Sequence, residues 1–228
     1  MPTDLTRPHA HSLSPRGLAV AGWAGFLLAG AIFMAVAWNV EFHRPIVVVD
    51  STIASWFHAH LSDSWTHVML AISAANGVGA SILWSVIFAA LLARIREWYW
   101  VLTLALATIG GAVINVMLKD AYERSRPHFD DPLVTIGTYS FPSGHTAAAT
   151  IFYGTLAAFL VTRYRSPRIR VAIVLVAVAM VVLVATSRMY LGAHYLSDVV
   201  AAAASSTFWL VLCLSGVHAL VRHRMDKR

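Results

Sequence analysis

The sequence predicts an all-α, polytopic membrane protein that is built as a bundle of six transmembrane helices. Of its 228 residues, 58% are hydrophobic and 12% are charged, whereas a soluble domain carries about 25% charged residues. Several uncharged runs also reach or approach the ~20 residues that cross a bilayer. These features exclude an ordinary soluble enzyme. The net charge of +6 does not imply a nucleic-acid partner, because excess Lys and Arg mark the cytoplasmic loops of membrane proteins.

The six spans follow the uncharged runs in chain order. They are predicted at residues 17–40, 64–93, 98–118, 143–162, 171–187 and 194–221. The second run is longer than a span needs, and the residues Asn-Gly-Val-Gly at 76–79 predict a kink or an interruption within it. We expect one domain over residues 17–222, flanked by a disordered cytoplasmic tail over 1–16, which holds three prolines, and a basic cytoplasmic tail over 223–228.

The distribution of Lys and Arg predicts how the spans are oriented. Twelve of these residues lie in the two tails and in the loops after the second and fourth spans, and five lie on the opposite side. Because Lys and Arg concentrate on the cytoplasmic side, both termini should be cytoplasmic. An even number of spans agrees with this orientation.

Residues 49–61 are too short and too polar to span the bilayer. Their large apolar side chains recur at helical spacing: Ile53, Trp56, Phe57 and Leu61. We therefore predict an amphipathic helix that lies on the outer interface of the membrane. Three histidines fall in or near it, at positions 58, 60 and 67. No cysteine or paired carboxylate completes a ligand set, so histidines at a membrane interface are preferred over a metal site.

The stretch 187–198 holds a histidine and an aspartate at a suggestive spacing. If the chain is helical from about His194 onward, Asp198 lies on the same face because positions i and i+4 are neighbours. Its carboxylate can then accept a hydrogen bond from one imidazole nitrogen and leave the other nitrogen free. A nucleophile or base held by an orienting group has this arrangement. On this stretch alone, a helix-start carboxylate beside an interface histidine explains the pattern equally well.

A second polar stretch leads directly into the fourth span. Pro142 and Ser143 before an apolar run indicate a helix N-terminus, where free N–H groups and the helix dipole attract anions. Gly144 lets an anion approach the backbone closely, and His145 then lies in the first turn beside it. The alternative is a simple helix cap with a chance histidine.

The topology brings these stretches together with three cations. Lys119 closes the third span, Arg126 follows it on an extended turn before Pro127, and Arg188 closes the fifth span. Snorkelling at the interface explains one such cation, but four span ends that carry cations and histidines all fall on the same side. Fixed cations, helix N–H donors and two histidines together suit the binding and transfer of a phosphoryl group.

Read together, these stretches form three motifs: Lys119-x6-Arg126-Pro127, Pro142-Ser143-Gly144-His145 and Ser187-Arg188-x5-His194-x3-Asp198. They resemble, in order and without a missing functional residue, the signature motifs of the type 2 phosphatidic acid phosphatase (PAP2) superfamily. That superfamily also includes vanadium haloperoxidases and bacterial acid phosphatases, and the six-span layout resembles its integral-membrane branch.

The resemblance implies a role for each motif residue. His194 would attack phosphorus and become a phosphohistidine, and Asp198 would orient it. His145 would protonate the leaving oxygen and then activate water. The phosphoryl oxygens would be bound by the side chains of Lys119, Arg126 and Arg188, by the Ser143 hydroxyl and by the Gly144 backbone. Related enzymes of this kind need no metal or other cofactor.

The function expected from this resemblance is that of a metal-independent phosphatase for a membrane lipid. It would lie in a bacterial plasma membrane, with its active site facing the periplasm or the outside. Undecaprenyl pyrophosphate, phosphatidylglycerophosphate and phosphatidate remain open as substrates, and the compact chain slightly favours the first. An anion transporter or channel, a phosphotransferase with the same site and a vanadate-dependent oxidation enzyme are the alternatives. The oligomeric state and the roles of Arg124, His128 and segment 49–61 remain open.

Overall fold

The computed structural model describes residues 15–43 and 45–226, and this part of the chain contains helices and no strand. The helices are α1 (Pro15–Glu41), α2 (Ile46–Ala59), α3 (Asp63–Ala75), α4 (Val78–Arg94), α5 (Trp98–Tyr122), α6 (Gly144–Arg163), α7 (Pro167–Tyr190) and α8 (Leu196–Asp226). The all-α prediction is confirmed. Of the tail expected over 1–16, residues 1–14 lie outside the described residues, as does Arg44. Helix α8 continues to Asp226, beyond the predicted end of the sixth span.

Five helices of the described chain are long and apolar enough to cross a membrane, namely α1, α5, α6, α7 and α8. Helices α3 and α4 meet at a 49° bend and count as a sixth span if they cross together. The bend lies at the predicted interruption, since Gly77 adopts an extended conformation and Asn76 ends α3. The protein is therefore an integral membrane protein with up to six spans in its described part.

Helix α8 packs against α1, α5 and α6 in the middle of the bundle. Small residues allow this close packing: a methyl group at Gly111 of α5 would overlap the Ile151 side chain, and one at Gly154 of α6 would lie 2.6 Å from Leu210. In membranes, where no hydrophobic force draws helices together, such small residues allow close van der Waals packing. The core therefore fixes the ends of α5, α6 and α8 relative to one another.

Two connections join these helices at one end of the bundle. The α5–α6 connection, residues 123–143, has no regular secondary structure. The α7–α8 connection is a tight turn in which Gly192 has a φ of +65°, a conformation that favours glycine. Helix α2 packs against α7 and α8, and it starts three residues before the predicted amphipathic segment. The candidate site lies where these elements meet.

Candidate active site

The eight residues predicted for the site form one connected group. The guanidinium of Arg126 lies 3.2 Å from Nε2 of His194, and Arg126 and Lys119 both donate to the carbonyl oxygen of Tyr139, at 3.0 and 2.5 Å. The charges of Lys119, Arg126, Arg188 and His194 all act on His145. The backbone N–H of Ser143, next to Gly144, donates to the carbonyl oxygen of Asp198 at 3.2 Å. Residues from four helices and two loops therefore line a single site.

His194 lies between a carboxylate and a cation. Its Nδ1 atom is 3.5 Å from Oδ2 of Asp198, and its Nε2 atom faces Arg126. The same Oδ2 accepts hydrogen bonds from Ser140 Oγ at 2.5 Å and from the backbone N–H of Tyr195 at 2.9 Å. Asp198 is the third residue of α8, and its bond to Tyr195 is the half of a capping box in which an acid reaches back to the helix start. Helix capping thus fixes the carboxylate that faces His194.

The environment of His194 favours a neutral imidazole. Burial lowers the pKa of His194 to about 4, and the neighbouring Asp198 carboxylate opposes this shift. A neutral imidazole that directs its Nδ1–H toward Asp198 has a lone pair on Nε2. The nitrogen that faces the cations is then the one able to attack an electrophile.

The Arg188 side chain is held by a helix, α3, that the sequence motifs do not include. It is only 3% exposed, and its Nη1 atom donates to the hydroxyl of Ser73 on α3. Its Nε–H has no hydrogen-bond partner within the described part of the chain. A buried guanidinium with an unpaired donor is suited to bind an anion, because an unmade hydrogen bond of a charged group is costly.

The helix start predicted at Ser143 is present. Ser143 is the N-cap of α6, and its hydroxyl accepts hydrogen bonds from the backbone N–H of Thr146 at 3.5 Å and from its hydroxyl at 3.1 Å. The first N–H groups of a helix have no carbonyl partner within it, and they carry the positive end of the helix dipole. His145 lies in this first turn, near Gly77 at the bend between α3 and α4.

An apolar cleft of about 250 Å³ reaches the start of α6 from the side of the bundle. It lies between α4, α5 and α6 and is lined by Ile82, Thr108, Val116, Gly144, Ala147 and Ile151, among other residues. The cleft reaches Gly144, the residue that precedes His145. It connects the polar site with the apolar, membrane-facing part of the bundle.

Several residues at the site were not predicted from the sequence. Ser73 and Ser140 carry no spacing signal, and Asp50 was placed only in the amphipathic segment. Arg124, whose role was left open, pairs with Asp50 and Asp198. The one available signal in the sequence was Asp50, a lone acid in an apolar helix. Acids buried in such surroundings are usually paired, so a partner for Asp50 could have been expected.

The histidines near α2 take part in other contacts. Nε2 of His58 lies 3.1 Å from Asp131, and its ring stacks on Phe129 with centroids 4.1 Å apart. In the described ranges, no group of three or more His, Cys, Asp or Glu side chains is arranged to hold a metal ion. His128, the other residue left open, is exposed on the α5–α6 connection.

The sequence model of the PAP2 superfamily matches residues 98–222. Phosphatidylglycerophosphatase B of Bacillus subtilis (strain 168) is 40% identical over 88 residues, which are 38% of this chain and 43% of that protein. The chain therefore matches less than half of this relative's length.

Two solved structures share the fold. One is the crystal structure of a transmembrane PAP2-type phosphatidylglycerolphosphate phosphatase from Bacillus subtilis, with a TM-score of 0.72 and 26% identity over 89% of this chain and 96% of that chain. The other is Aquifex aeolicus LpxE, with a TM-score of 0.58 and 19% identity over 73% of this chain and 95% of that chain. The second likeness concerns the fold alone.

Proposed function

Since the chain belongs to the PAP2 superfamily, we propose that it is a metal-independent membrane phosphatase that removes a phosphoryl group from a lipid. The observation that carries this proposal is the position of His194, whose Nε2 atom lies 3.2 Å from Arg126 while its Nδ1 atom faces Asp198. A nucleophilic nitrogen beside fixed cations matches the charge of a phosphoryl group.

In the proposed reaction, Nε2 of His194 attacks phosphorus. The new P–N bond forms as the bond from phosphorus to the lipid oxygen breaks, and His145 gives its proton to that oxygen. Water then attacks the phosphohistidine, His145 takes up a proton from it, and the P–N bond breaks to release phosphate. Asp198 keeps the imidazole oriented through both steps.

The remaining motif residues bind the phosphoryl oxygens in this proposal. Lys119, Arg126 and Arg188 neutralise the negative charge, and the Nε–H of Arg188, which has no partner among the described residues, supplies a donor. The Ser143 hydroxyl and the Gly144 N–H add donors at the start of α6. Preorganised donors of this kind stabilise the five-coordinate transition state without reorganisation.

The apolar cleft that reaches Gly144 supports a lipid rather than a soluble phosphate ester as the substrate. Its hydrocarbon-lined walls suit an acyl or prenyl chain, whose phosphate group would then lie beside His145. Among lipids, the names of the relatives favour phosphatidylglycerophosphate, ahead of the polyprenyl pyrophosphate that the compact chain alone favoured. Phosphatidate is the third substrate to test.

The proposed setting is a bacterial plasma membrane with both termini in the cytoplasm and the site on the opposite face. The excess of Lys and Arg in the tails and in the loops after the second and fourth spans supports this orientation. Residues 17–222 would form the phosphatase domain, between the tails at 1–16 and 223–228.

The test is phosphate release by the purified full-length protein in detergent, with phosphatidylglycerophosphate, phosphatidate and undecaprenyl pyrophosphate as substrates and the His194→Ala protein as the control. We expect release in the presence of EDTA, with the highest kcat/KM for phosphatidylglycerophosphate. Loss of release in EDTA that returns with Mg²⁺ contradicts the metal-free mechanism. Absence of release from every lipid, with anion flux through proteoliposomes, indicates the transporter instead.

A further inference from the structure

Arg124 joins the interfacial helix α2 to the candidate active site. Its guanidinium donates from Nη2 to Oδ2 of Asp50 at 2.8 Å and from Nη1 to Oδ1 of Asp198 at 2.7 Å. Both carboxylates are fully buried, and the Arg124 side chain is 11% exposed. Two buried carboxylates therefore share one cation. Removing one partner from such a group leaves an uncompensated charge, which is strongly unfavourable.

Asp50 also holds the first turn of α8, on which Asp198 lies. Its Oδ1 accepts a hydrogen bond from the backbone N–H of Ser197 at 2.9 Å, and its Oδ2 accepts one from the Ser197 hydroxyl at 2.5 Å. The N–H groups of a first helical turn have no partner within their own helix, so a carboxylate from α2 supplies one. The guanidinium of Arg124 additionally lies 4.4 Å from the ring centroid of Tyr195. The backbone on both sides of Asp198 is thus fixed.

The two oxygens of Asp198 are used separately. Oδ1 accepts from Arg124, and Oδ2 faces His194 and accepts from Ser140 and the Tyr195 N–H. A bond to Oδ1 fixes the rotation of the carboxylate about its Cβ–Cγ bond and hence the direction of Oδ2. Arg124 alone would also neutralise Asp198, but Asp50 adds a second negative charge. The three side chains together carry a net charge of −1.

We propose that Asp50 and Arg124 are positioning residues for the histidine nucleophile. They hold the Asp198 carboxylate so that Oδ2 stays directed at His194, and they leave a net negative charge behind the imidazole to stabilise the cation that forms on phosphoryl transfer. This inference rests on the proposed function, since it takes His194 as the nucleophile. It also gives α2 a role, because that helix brings Asp50 to the site.

The charge behind His194 matters because its surroundings are otherwise cationic. The titratable or charged groups that act on His194 are Lys119 of α5, Arg126 of the α5–α6 connection, His145 of α6 and Asp198 of α8. Arg188 of α7 neighbours it through a backbone hydrogen bond, from the His194 N–H to the Arg188 carbonyl oxygen. Asp198 is the acid among them. Any change in how completely neighbouring groups neutralise Asp198 should therefore alter the pKa and the reactivity of His194.

The first test is Asp50→Asn in the full-length protein. The neutral amide removes one negative charge, so Arg124 neutralises Asp198 more completely. We expect kcat to fall about 10- to 100-fold, as for other substitutions behind a reacting group, with KM changed less than twofold. The acid limb of kcat/KM should move to lower pH, because an imidazolium at His194 is then less stabilised.

A matched control lies on the same helix. His58→Ala removes the stacking on Phe129 and the contact with Asp131, which attach α2 to the α5–α6 connection, but it leaves the three charges intact. We expect its kcat within twofold of wild type. Equal losses in His58→Ala and Asp50→Asn, with the pH profile of kcat/KM unchanged in both, would mean that α2 only stabilises the fold, and the inference would be overturned.

A second variant separates positioning from folding. Arg124→Met leaves two buried carboxylates without a cation and should lower the Tm. The double variant Asp50→Asn/Arg124→Met removes a charge of each sign and should accumulate as folded protein even where Arg124→Met does not. If the two residues act as one unit, the kcat of the double variant should be no lower than that of the more impaired single variant. Multiplied losses would contradict the proposal.

The effect of Asp50 on His194 can also be measured without substrate turnover. In imidazole NMR of the purified protein, the pKa of His194 should be lower in Asp50→Asn than in wild type and unchanged in His58→Ala. If wild type releases phosphate while Asp50→Asn keeps the wild-type kcat and the wild-type pKa of His194, the inference is wrong. If wild type releases phosphate from no lipid, the proposed function fails, and the NMR measurement still decides whether Asp50 positions the group.

Discussion

The Nδ1 atom of His194 lies 3.5 Å from Oδ2 of Asp198, and this contact connects the cap of α8 with the proposed nucleophile. Asp198 closes the first turn of α8 through Tyr195, so the carboxylate has its position before any substrate binds. The histidine precedes that turn, and its Nδ1 atom faces the acid. The opposite nitrogen then faces the cations.

Asp198→Asn should lower kcat far more than it changes KM. The amide is similar in size, but it stabilises the imidazolium poorly and favours the wrong tautomer of His194. We expect a loss of about 10²–10⁴-fold in phosphate release, between wild type and His194→Ala. Asp63→Asn, at an exposed acid in the first turn of α3, is the control and should retain wild-type rates. A rise in KM with constant kcat would instead place Asp198 in substrate binding.

The variants His194→Ala and His145→Ala should differ in the amount of phosphoenzyme that they accumulate. His194→Ala should form no phosphoenzyme, because the attacking nitrogen is absent. His145→Ala should slow substrates with alkoxide-like leaving groups most and accumulate phosphohistidine, because hydrolysis also needs a base. The measurement is acid-labile, base-stable radiolabel on protein quenched with ³²P-labelled substrate. Label on His194→Ala and none on His145→Ala would reverse the two roles.

The pH dependence of His194 should reflect its burial. Because burial lowers its pKa to about 4 from an ordinary value of 6.5, the imidazole should stay neutral at pH 5–6. Between pH 6.5 and 4 the unfolded chain binds this proton and the native chain does not. The contribution to stability is therefore complete above pH 6.5 and is lost as the pH falls toward 4. Imidazole NMR, assigned with His194→Asn, checks this, and titration near pH 6.5 would contradict it.

Ser73→Ala should weaken phosphate binding without touching a motif residue. The Ser73 hydroxyl is the acceptor for Nη1 of Arg188, and its loss leaves a buried guanidinium less well held. We expect KM to rise about 5- to 10-fold, the equivalent of roughly 1 kcal/mol for one hydrogen bond, with a smaller change in kcat. Ser205→Ala, which removes a hydroxyl that donates to the carbonyl oxygen of Ala202 within α8, should leave KM unchanged. Equal KM values in both variants would exclude this role of Ser73.

The orientation can be tested by cysteine labelling of intact cells in a Cys213→Ala background. Cysteines placed within 124–142 should react with an impermeant reagent, and those within 163–170 should react only after permeabilisation. Arg165, in the second segment, is exposed and is a suitable position, and Ser125 serves in the first. The opposite labelling pattern would reverse the orientation inferred from Lys and Arg.

Composition and local sequence pattern were sufficient to predict the membrane helices, the bend between α3 and α4, and the start of α6. Low charge and long apolar runs determine helices in a bilayer, because only structures that satisfy their own backbone hydrogen bonds can cross it. Asn76 and Gly77 determine the bend, and Pro142 and Ser143 determine the start of α6. These are local effects, in which a few neighbouring residues set the backbone conformation.

The tertiary structure alone decided which groups support the site. Asp50, Arg124 and Asp198 belong to three separate segments and share no spacing that a sequence pattern could reveal. An acid in an amphipathic helix could face water or protein, and only the packing of α2 against the first turn of α8 buries Asp50 and pairs it. The contact of Ser73 with Arg188 also depends on the tertiary structure, because it joins α3 to α7. The sequence specifies which residues can carry the chemistry, and helix packing selects the partners that hold them.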